Sequence, residues 1–218
     1  MKPELIDLFP TPLVVEKLTI DDNELKIIMD YDDFYKNGEN NFSSYDTFFL
    51  NKLPLLTADI NRCVQSFVNR ILGEQSTLRI TQSWINLNPT TTSHHTHSHF
   101  NSVLSGIFYI QVNEETGDIH FHRPHLQSRQ IMDVITDWNK YNFQTVYFTP
   151  KNGDLFLFPS TLMHAVSVNK SPINRISLSF NTFYDGMFGS ELNLTKAEFR
   201  GENGLLTHPK KGKVAKKK

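Results

Sequence analysis

Short runs of apolar residues that alternate with polar ones fill the chain from residue 78 onward. Gly, Pro or Asn separates one run from the next, and runs of this length between such residues indicate β-strands. Many short strands at close spacing are typical of a sandwich or barrel, and the jelly roll is one such fold. The predicted strands are Leu78–Leu87, Val103–Val112, Asp118–His122, Thr145–Phe148, Asp154–Phe158, Ala165–Val168 and Arg175–Phe183.

The residues before position 78 carry a helical pattern instead. Between Ala58 and Leu72, apolar residues recur every three or four positions, which predicts one buried face of an α-helix. Thr57 is placed to cap the first turn of this helix, and Gly73 is placed to end it. A second helix is expected over Ile20–Met29, because two aspartates suit its first turn.

Three further stretches show no clear period. Leu13–Val15 follows two prolines, which exclude a helix and favour a short edge strand. Residues 31–51 are rich in Asp, Asn, Ser and Tyr, and they predict an irregular connection. Pro124–Phe143 is a polar insertion between two predicted strands.

A chain of 218 residues with 39% hydrophobic and 21% charged residues is typical of one soluble globular domain. We predict that this domain covers residues 1–184, with helical support over 20–73 and a β-rich core over 78–184. Residues 185–218 are predicted to be a C-terminal extension that ends in a lysine-rich tail. Such tails are usually solvated and disordered, and a contact with nucleic acid is the less favoured interpretation.

Charge and cysteine content narrow the class of protein further. The formal net charge of −1 argues against bulk affinity for nucleic acid. Cys63 is the single cysteine, so no internal disulfide can form, and a reducing compartment is favoured. The first residues are acidic where a signal peptide needs an apolar run, and no segment is long enough to span a membrane. The chain is therefore predicted to be cytoplasmic, with no membrane partner.

The densest group of candidate ligands is His94-His95-Thr96-His97-Ser98-His99. Side chains two residues apart lie on the same face of a strand. His97, His99 and Tyr109 would therefore share one face if a strand reaches back from Tyr109. The parity weakens before residue 103, where the chain can be a loop, and parity alone also allows His95 to pair with His97.

A further imidazole and an arginine lie downstream. His164 follows an apolar run, and Arg175 comes eleven residues later (175 − 164). Ser177, Ser179 and Asn181 lie on the same strand face as this arginine, and Asn181 is also a candidate for a substrate pocket. A guanidinium beside a hydroxyl suits a carboxylate, to which it donates two parallel hydrogen bonds. Together with the clustered histidines, this pattern predicts a metal site with a bound dicarboxylate, as in an oxygenase.

Two other strands carry candidate site residues. Trp84 and Asn86 alternate with apolar neighbours. Trp84 is expected to wall the pocket, and Asn86 either hydrogen-bonds a ligand carboxylate or serves the sheet edge. His120 and His122 share the face of another strand, where His120 either lines a substrate pocket or is simply exposed.

In order and spacing, these features resemble the 2-oxoglutarate- and iron(II)-dependent oxygenases, and among them a prolyl 4-hydroxylase-like family of bacteria and phages. Each matching segment is short, but together they cover roughly residues 8–184. The matching segments are Leu8-Phe9-Pro10-Thr11-Pro12, Ser83-Trp84-Ile85-Asn86, His97-Ser98-His99, Leu104-Ser105-Gly106-Ile107-Phe108-Tyr109, Gly153-Asp154-Leu155, Phe158-Pro159-Ser160, His164 and Arg175-Ile176-Ser177-Leu178-Ser179-Phe180-Asn181.

The resemblance implies both a fold and a site. The fold is a double-stranded β-helix, a distorted cupin-like jelly roll that is mainly β with flanking helices. His97 and His164 are implied to bind Fe(II). Arg175, with Ser177 beside it, is implied to bind the C5 carboxylate of 2-oxoglutarate, which Tyr109 also contacts.

One residue departs from the pattern of the superfamily. These oxygenases usually hold iron with two histidines and a carboxylate, and the carboxylate lies two residues after the first histidine. This chain has His99 at that position and no acid between residues 89 and 113. His99 is therefore predicted as the third metal ligand, with a water in its place as the alternative. His94 and His95 are expected to lie outside the ligand set.

The predicted activity is a dioxygenase that decarboxylates 2-oxoglutarate to succinate and hydroxylates an unidentified small-molecule or peptidyl substrate. The insertion over residues 123–145 is expected to act as a lid over that substrate. One rival is a non-enzymatic cupin-like module for a metal or small acid, which would have no use for Arg175. Another is a zinc hydrolase, which needs a general base that the sequence does not place beside the histidines.

Overall fold

The computed structural model describes residue 4 and residues 6–38, 41–74, 76–124 and 134–199. Within this part of the chain, two antiparallel sheets pack against each other around an apolar core. The strands, in chain order, are β1 (Val14–Lys17), β2 (Phe34–Lys36), β3 (Phe42–Ser44), β4 (Thr77–Asn88), β5 (His94–His97), β6 (Leu104–Gln111), β7 (Ile119–His122), β8 (Thr145–Phe148), β9 (Asp154–Pro159), β10 (His164–Val166), β11 (Arg175–Phe188) and β12 (Ala197–Phe199).

The larger sheet has the strand order β1-β9-β6-β11-β4-β3-β2, and β12 pairs with the end of β11. The smaller sheet has the order β5-β10-β7-β8. The seven strands predicted from residue 78 onward are all present, with ends shifted by a few residues. Two facing antiparallel sheets with this connectivity confirm the predicted fold class, a mainly β double-stranded β-helix with flanking helices.

Two helices precede this core, α1 (Asp22–Met29) and α2 (Pro54–Phe67). Helix α1 begins two residues later than predicted, because Asp21 caps it by accepting hydrogen bonds from the N–H groups of the first turn. A π-helical turn extends α2 to Leu72, and Gly73 ends it with a φ of 69°.

The predicted start of α2 was wrong. The helix begins at Pro54, whose fixed φ suits the first helical position, and not after Thr57. The Thr57 hydroxyl donates to the carbonyl of Leu50 instead of capping the helix. The cap comes from α1, where the buried carboxylate of Glu24 accepts hydrogen bonds from the N–H groups of Leu55 and Leu56, at 2.7 and 3.0 Å.

The prediction of irregular structure over residues 31–51 was also wrong. β2 and β3 form a hairpin there, and a 3-10 turn follows over Phe49–Lys52. β3 joins the larger sheet because Phe42 pairs with Leu87 and Ser43 pairs with Asn86 of β4. β3 has a polar sequence, so the pattern of apolar positions does not predict a strand there. It lies near the edge of the sheet, and only one of its two neighbouring strands is long.

Two apolar clusters hold the layers together. Phe49, Ile60 and Phe67 pack from the helical layer against the outer side of the larger sheet, and each is fully or almost fully buried. The second cluster lies between the sheets and includes Phe121 and Phe158. The inner face of the larger sheet therefore faces the smaller sheet and carries the polar residues described below.

The chain beyond the core is described only in part. Residues 134–143 of the predicted insertion are described, and there Trp138 stacks on Phe143; residues 125–133 lie outside the described part, so the lid stays a prediction. The domain end predicted at residue 184 falls inside β11, which continues to Phe188 and pairs with β12. The lysine-rich tail lies outside the described residues. None of the described helices is long and apolar enough to cross a membrane.

Candidate metal and cosubstrate site

Three histidines meet at one end of the smaller sheet. His97 on β5 pairs directly with His164 on β10. His99 follows in the loop after β5, where its N–H donates to the carbonyl of Ser160 at 2.9 Å. One ring nitrogen from each of the three histidines lies within 4.8 Å of the others, so one metal ion could bind all three.

Hydrogen bonds to the main chain fix the tautomers of two of these rings. His97 Nδ1 lies 2.9 Å from the carbonyl oxygen of His95, and His164 Nδ1 lies 2.9 Å from that of Leu162. A carbonyl only accepts, so both Nδ1 atoms carry the proton. Nε2 is then the unprotonated nitrogen of each ring, which is the state that a metal-binding histidine needs.

The electrostatic surroundings keep the three rings neutral. Burial lowers the pKa of His164 to about 3 and that of His99 to about 4, and neighbouring imidazoles add to both effects. The pKa of His97 is lowered as well, mainly by burial. At neutral pH the site therefore presents three lone pairs, and a metal does not have to displace protons.

Arg175, at the start of β11, lines the same cavity as the three histidines. It is 2% exposed, and its Nη1 donates to the carbonyl of Thr116 at 3.0 Å and reaches that of Ser167 at 3.5 Å. No ion pair among the described residues includes it. Burial lowers the pKa of its guanidinium, and Tyr109 acts in the opposite direction. A buried cation without a counter-ion is costly, so this position favours an anionic ligand.

Two unpaired polar atoms accompany this arginine. The hydroxyl of Tyr109 and Nδ2 of Asn88 are buried and have no hydrogen-bond partner among the described residues. Asn88 pairs with Arg175 across β4 and β11, and Tyr109 pairs with Ser177 across β6 and β11. A guanidinium, a phenol and an amide that line one cavity are donors that suit the carboxylate of a dicarboxylate. Asn88 was not predicted as a site residue, and only its alternation with Asn86 pointed to it.

The other predicted cosubstrate residues line the same cavity in different roles. Ser177 faces it beside Arg175. The amide of Asn86 is already engaged, because its oxygen accepts from Trp84 Nε1 at 3.1 Å and its nitrogen donates to Ser179 Oγ at 2.8 Å. Asn86 thereby orients the Trp84 indole, whose ring centroid lies 6.1 Å from that of His99. Trp84, predicted as a wall of the pocket, thus lies next to the group of three histidines.

Two predicted pocket residues lie away from this cavity. His120 stacks on Tyr147, with ring centroids 4.9 Å apart, and its Nδ1 lies 3.5 Å from Ser167 Oγ. Asn181 accepts a hydrogen bond from Ser105 Oγ at 2.7 Å. Neither side chain is part of the cavity lining, which in the described part of the chain consists of Trp84, Asn86, Asn88, His94, His97, His99, Ser105, Gly106, Ile107, Tyr109, Phe158, His164, Val166, Arg175, Ser177, Ser179 and Phe180.

No carboxylate joins the three histidines within the described residues. His99 belongs to this group of three, and its role in place of the usual acid stays a prediction. His94, which was expected to lie outside the ligand set, is not in this group either, but it does line the cavity. We refer to the space between the three histidines and Arg175 as the histidine–arginine cavity.

Comparison with known proteins agrees with this geometry. Residues 82–181 match the model of a family described as "Putative 2OG-Fe(II) oxygenase". This segment contains the three histidines and Arg175. No curated protein sequence matches the chain.

Solved structures of low sequence identity share the fold. The non-haem epimerase SnoN of nogalamycin biosynthesis is 14% identical, with 91% of this chain and 90% of that chain covered and a TM-score of 0.60. HygX from Streptomyces hygroscopicus, solved with nickel, 2-oxoglutarate and hygromycin B, is 12% identical, with 79% and 82% covered and a TM-score of 0.56. A prolyl-4-hydroxylase from Pseudomonas putida is 11% identical, with 81% and 94% covered and a TM-score of 0.54.

The family match and the shared double-stranded β-helix confirm the resemblance found in the sequence. They give no support to a non-enzymatic module. Through residues 82–181, the chain matches the model of the 2-oxoglutarate- and Fe(II)-dependent oxygenase family.

Proposed function

We propose that the protein is an Fe(II)- and 2-oxoglutarate-dependent dioxygenase in which His97, His99 and His164 bind the metal. Arg175 and Tyr109 bind the distal carboxylate of the cosubstrate. The observation that carries this proposal is the buried guanidinium of Arg175, which faces the histidine cluster across one cavity and has no counter-ion among the described residues.

When bound, Fe(II) and 2-oxoglutarate supply the oxidising chemistry: one oxygen atom of O₂ enters succinate as CO₂ leaves, and the other enters the hydroxylated product. The protein has three tasks around this pair. The Nδ1 hydrogen bonds hold the rings of His97 and His164 with Nε2 available for the metal. Arg175 fixes the length and direction of the diacid by binding its far end.

The walls of the cavity limit access of water. Ile107, Phe158 and Val166 contribute apolar side chains that are at least nine-tenths buried. A dry cavity strengthens the attraction between the buried guanidinium and a carboxylate, and it protects reactive species from side reactions. These walls support oxidation of an organic substrate in preference to hydrolysis.

A zinc hydrolase is disfavoured by the same lining. In the described part of the chain, no aspartate or glutamate lines the histidine–arginine cavity, so no carboxylate is placed to act as a general base on a metal-bound water.

We infer hydroxylation of a small-molecule or peptidyl substrate, in the cytoplasm. Structural neighbours include one solved with hygromycin B and a prolyl hydroxylase of Trichoplax adhaerens solved with a peptide, so the fold accommodates both kinds of substrate. The cytoplasmic location is supported by the single cysteine, Cys63, which is free and buried.

An anaerobic titration tests the proposed function. Protein loaded with Fe(II) should develop a weak visible charge-transfer band as 2-oxoglutarate is added. Intact metal binding without any band would contradict an oxygenase. Arg175→Ala should abolish or strongly weaken the band but leave the metal affinity close to that of the wild type, whereas an equal loss of both would contradict the assigned roles.

A further inference from the structure

The register between β5 and β10 contains an irregularity at the metal site. His97 pairs with His164, but His94 pairs with Val166, so three steps along β5 correspond to two along β10. In a regular strand, residues three apart point to opposite faces. The extra residue lets His94 and His97 both face the histidine–arginine cavity, and bulges that re-aim a side chain are frequent next to active sites.

The turned-in His94 ring is held from the other sheet. Nδ2 of Asn41 lies 3.3 Å from His94 Nδ1, and Asn41 is 1% exposed. The main chain anchors Asn41 in the β2–β3 hairpin, because its carbonyl accepts from the N–H of Asn37 at 2.8 Å. With the amide nitrogen as donor, His94 Nδ1 is the acceptor, and the ring proton is on Nε2. That N–H has no hydrogen-bond partner among the described residues.

The position of His94 is between the two ends of the cavity. On one side its ring centroid lies 4.5 Å from that of His97. On the other side lies Asn41. Asn41 precedes Phe42 and Phe42 pairs with Leu87, so Asn41 lies next to Asn88, which pairs with Arg175. His94 lines the same cavity as Arg175 and the three histidines, so a diacid bound between them would lie within reach of its ring.

We propose that His94 is a positioning residue for 2-oxoglutarate, whose Nε2–H donates to an oxygen of the 2-oxo acid group at the metal end of the cosubstrate. Only the carboxylate and the 2-oxo group offer acceptors there, because the middle of the molecule consists of methylene groups. Arg175 then binds one end of the diacid and His94 the other. This inference rests on the proposed function of the cavity.

Two other roles for His94 agree less well with the structure. A fourth metal ligand would need a ring nitrogen close to the other three, and His94 is absent from the group of nitrogens within 4.8 Å. A purely structural histidine would place its second nitrogen against a protein group. Instead, Asn41 engages one nitrogen and leaves the other for a ligand.

Three substitutions test this role by changing where a donor is placed. His94→Phe keeps a ring but removes the donor, and His94→Asn places an amide near Nδ1. His94→Gln places an amide N–H near Nε2 and should rescue binding. His95→Phe is the matched control, because its side chain is exposed and the substitution keeps both an aromatic ring and the main-chain carbonyl that holds His97.

The measurements are 2-oxoglutarate affinity, from the anaerobic Fe(II) charge-transfer band, and metal affinity, from Co(II) titration. His94→Phe and His94→Asn should weaken 2-oxoglutarate binding about tenfold or more, as expected for loss of a hydrogen bond to a charged group. They should also shift the band maximum, whereas His94→Gln and His95→Phe should stay close to wild type. Metal affinity should be unchanged in all four variants.

Two results would overturn the inference while the proposed function stands. Wild-type affinity for 2-oxoglutarate in folded His94→Phe would show that no donor is used. A parallel loss of Co(II) and 2-oxoglutarate binding would make His94 a ligand or a structural residue. If the wild-type protein itself binds Fe(II) without any band on addition of 2-oxoglutarate, the proposed function fails, and this inference fails with it.

Discussion

His97 and His164 are direct neighbours across β5 and β10, and their ring centroids lie 4.3 Å apart. Each ring is also tied through Nδ1 to a carbonyl two residues earlier, at His95 and at Leu162. The pairing of the two strands therefore brings these two proposed ligands together, whereas His99 is supplied by the loop that follows.

Replacing one of these two proposed ligands should remove metal binding. His97→Ala is expected to cost more than the ~10–100-fold in metal affinity that loss of an outer-shell partner typically costs. Co(II) titration followed by visible absorption measures the effect. His95→Ala retains the carbonyl that holds His97 and is the control; wild-type affinity in His97→Ala would contradict the assigned ligand set.

His99→Asp tests the histidine in the place of the usual acid. Aspartate at this position would produce the two-histidine, one-carboxylate ligand set that Fe(II) oxygenases commonly use. The variant is expected to keep Fe(II) and 2-oxoglutarate binding, whereas His99→Ala should lower metal affinity at least about tenfold. Titration of both variants with Fe(II) under anaerobic conditions measures this. Equal metal affinity of His99→Ala and the wild type would show that His99 is not a ligand.

Much of the fold could be predicted because its signals are local. The apolar runs of β6, β9 and β11 and the three- and four-residue spacing in α2 are visible in the sequence itself. The sequence also shows directly the order of the clustered histidines, the distant His164 and the arginine that follows it. These features led to the correct fold class and to the cavity residues that the structure brings together.

The remainder depends on contacts between distant residues. β5 has the sequence His-His-Thr-His, which shows no alternation of apolar positions, and it forms a strand because β10 pairs with it. The inward position of His94 follows from the irregular register of that pair. The start of α2 depends on Glu24 from another helix. The unpaired amide of Asn88 indicates a ligand site only because it lies beside Arg175.

The stability of the metal-free protein should depend on pH through the buried histidines. The ordinary histidine pKa is 6.5, and the folded values are about 3 for His164 and about 4 for His99. Between pH 6.5 and about 4 the unfolded chain therefore binds protons that the folded chain does not, so the free energy of unfolding falls as the pH falls. Thermal unfolding of the apoprotein at a series of pH values measures this.

Carboxylates also titrate in part of this range, so a variant is needed to isolate the histidine effect. His164→Gln removes the group with the lower folded pKa, and its melting temperature should decrease less steeply from pH 6.5 to pH 4. A metal ion that saturates the site at pH 7 should raise the melting temperature of the wild type, and this gain should vanish in acid, where protons compete for Nε2. If the melting temperatures of the metal-free wild type and of His164→Gln fall in parallel with pH, the buried-histidine explanation is contradicted.

Glu24→Gln tests the link between the two helices. The Glu24 carboxylate accepts from two N–H groups at the start of α2, where a negative charge also interacts favourably with the helix dipole. The substitution should lower the free energy of unfolding by ~1 kcal/mol, measured by urea denaturation, with metal affinity unchanged. Asp22→Asn, at an exposed position of the same helix, is the control and should have a smaller effect.

Gly106→Ala probes how closely β6 and β11 approach at the cavity wall. Gly106 pairs with Phe180, and a Cβ added at the glycine would lie 2.2 Å from Cζ of this fully buried ring. The added methyl group must displace the ring, and overpacking of this kind typically costs ~1–3 kcal/mol. Urea denaturation should show this loss. The double variant Gly106→Ala/Phe180→Leu should lose less free energy of unfolding than the sum of the losses in the two single variants, because the smaller side chain leaves room for the methyl group. Simple additivity of the two effects would show that the ring is not what excludes the methyl group, and that the glycine is required for another reason.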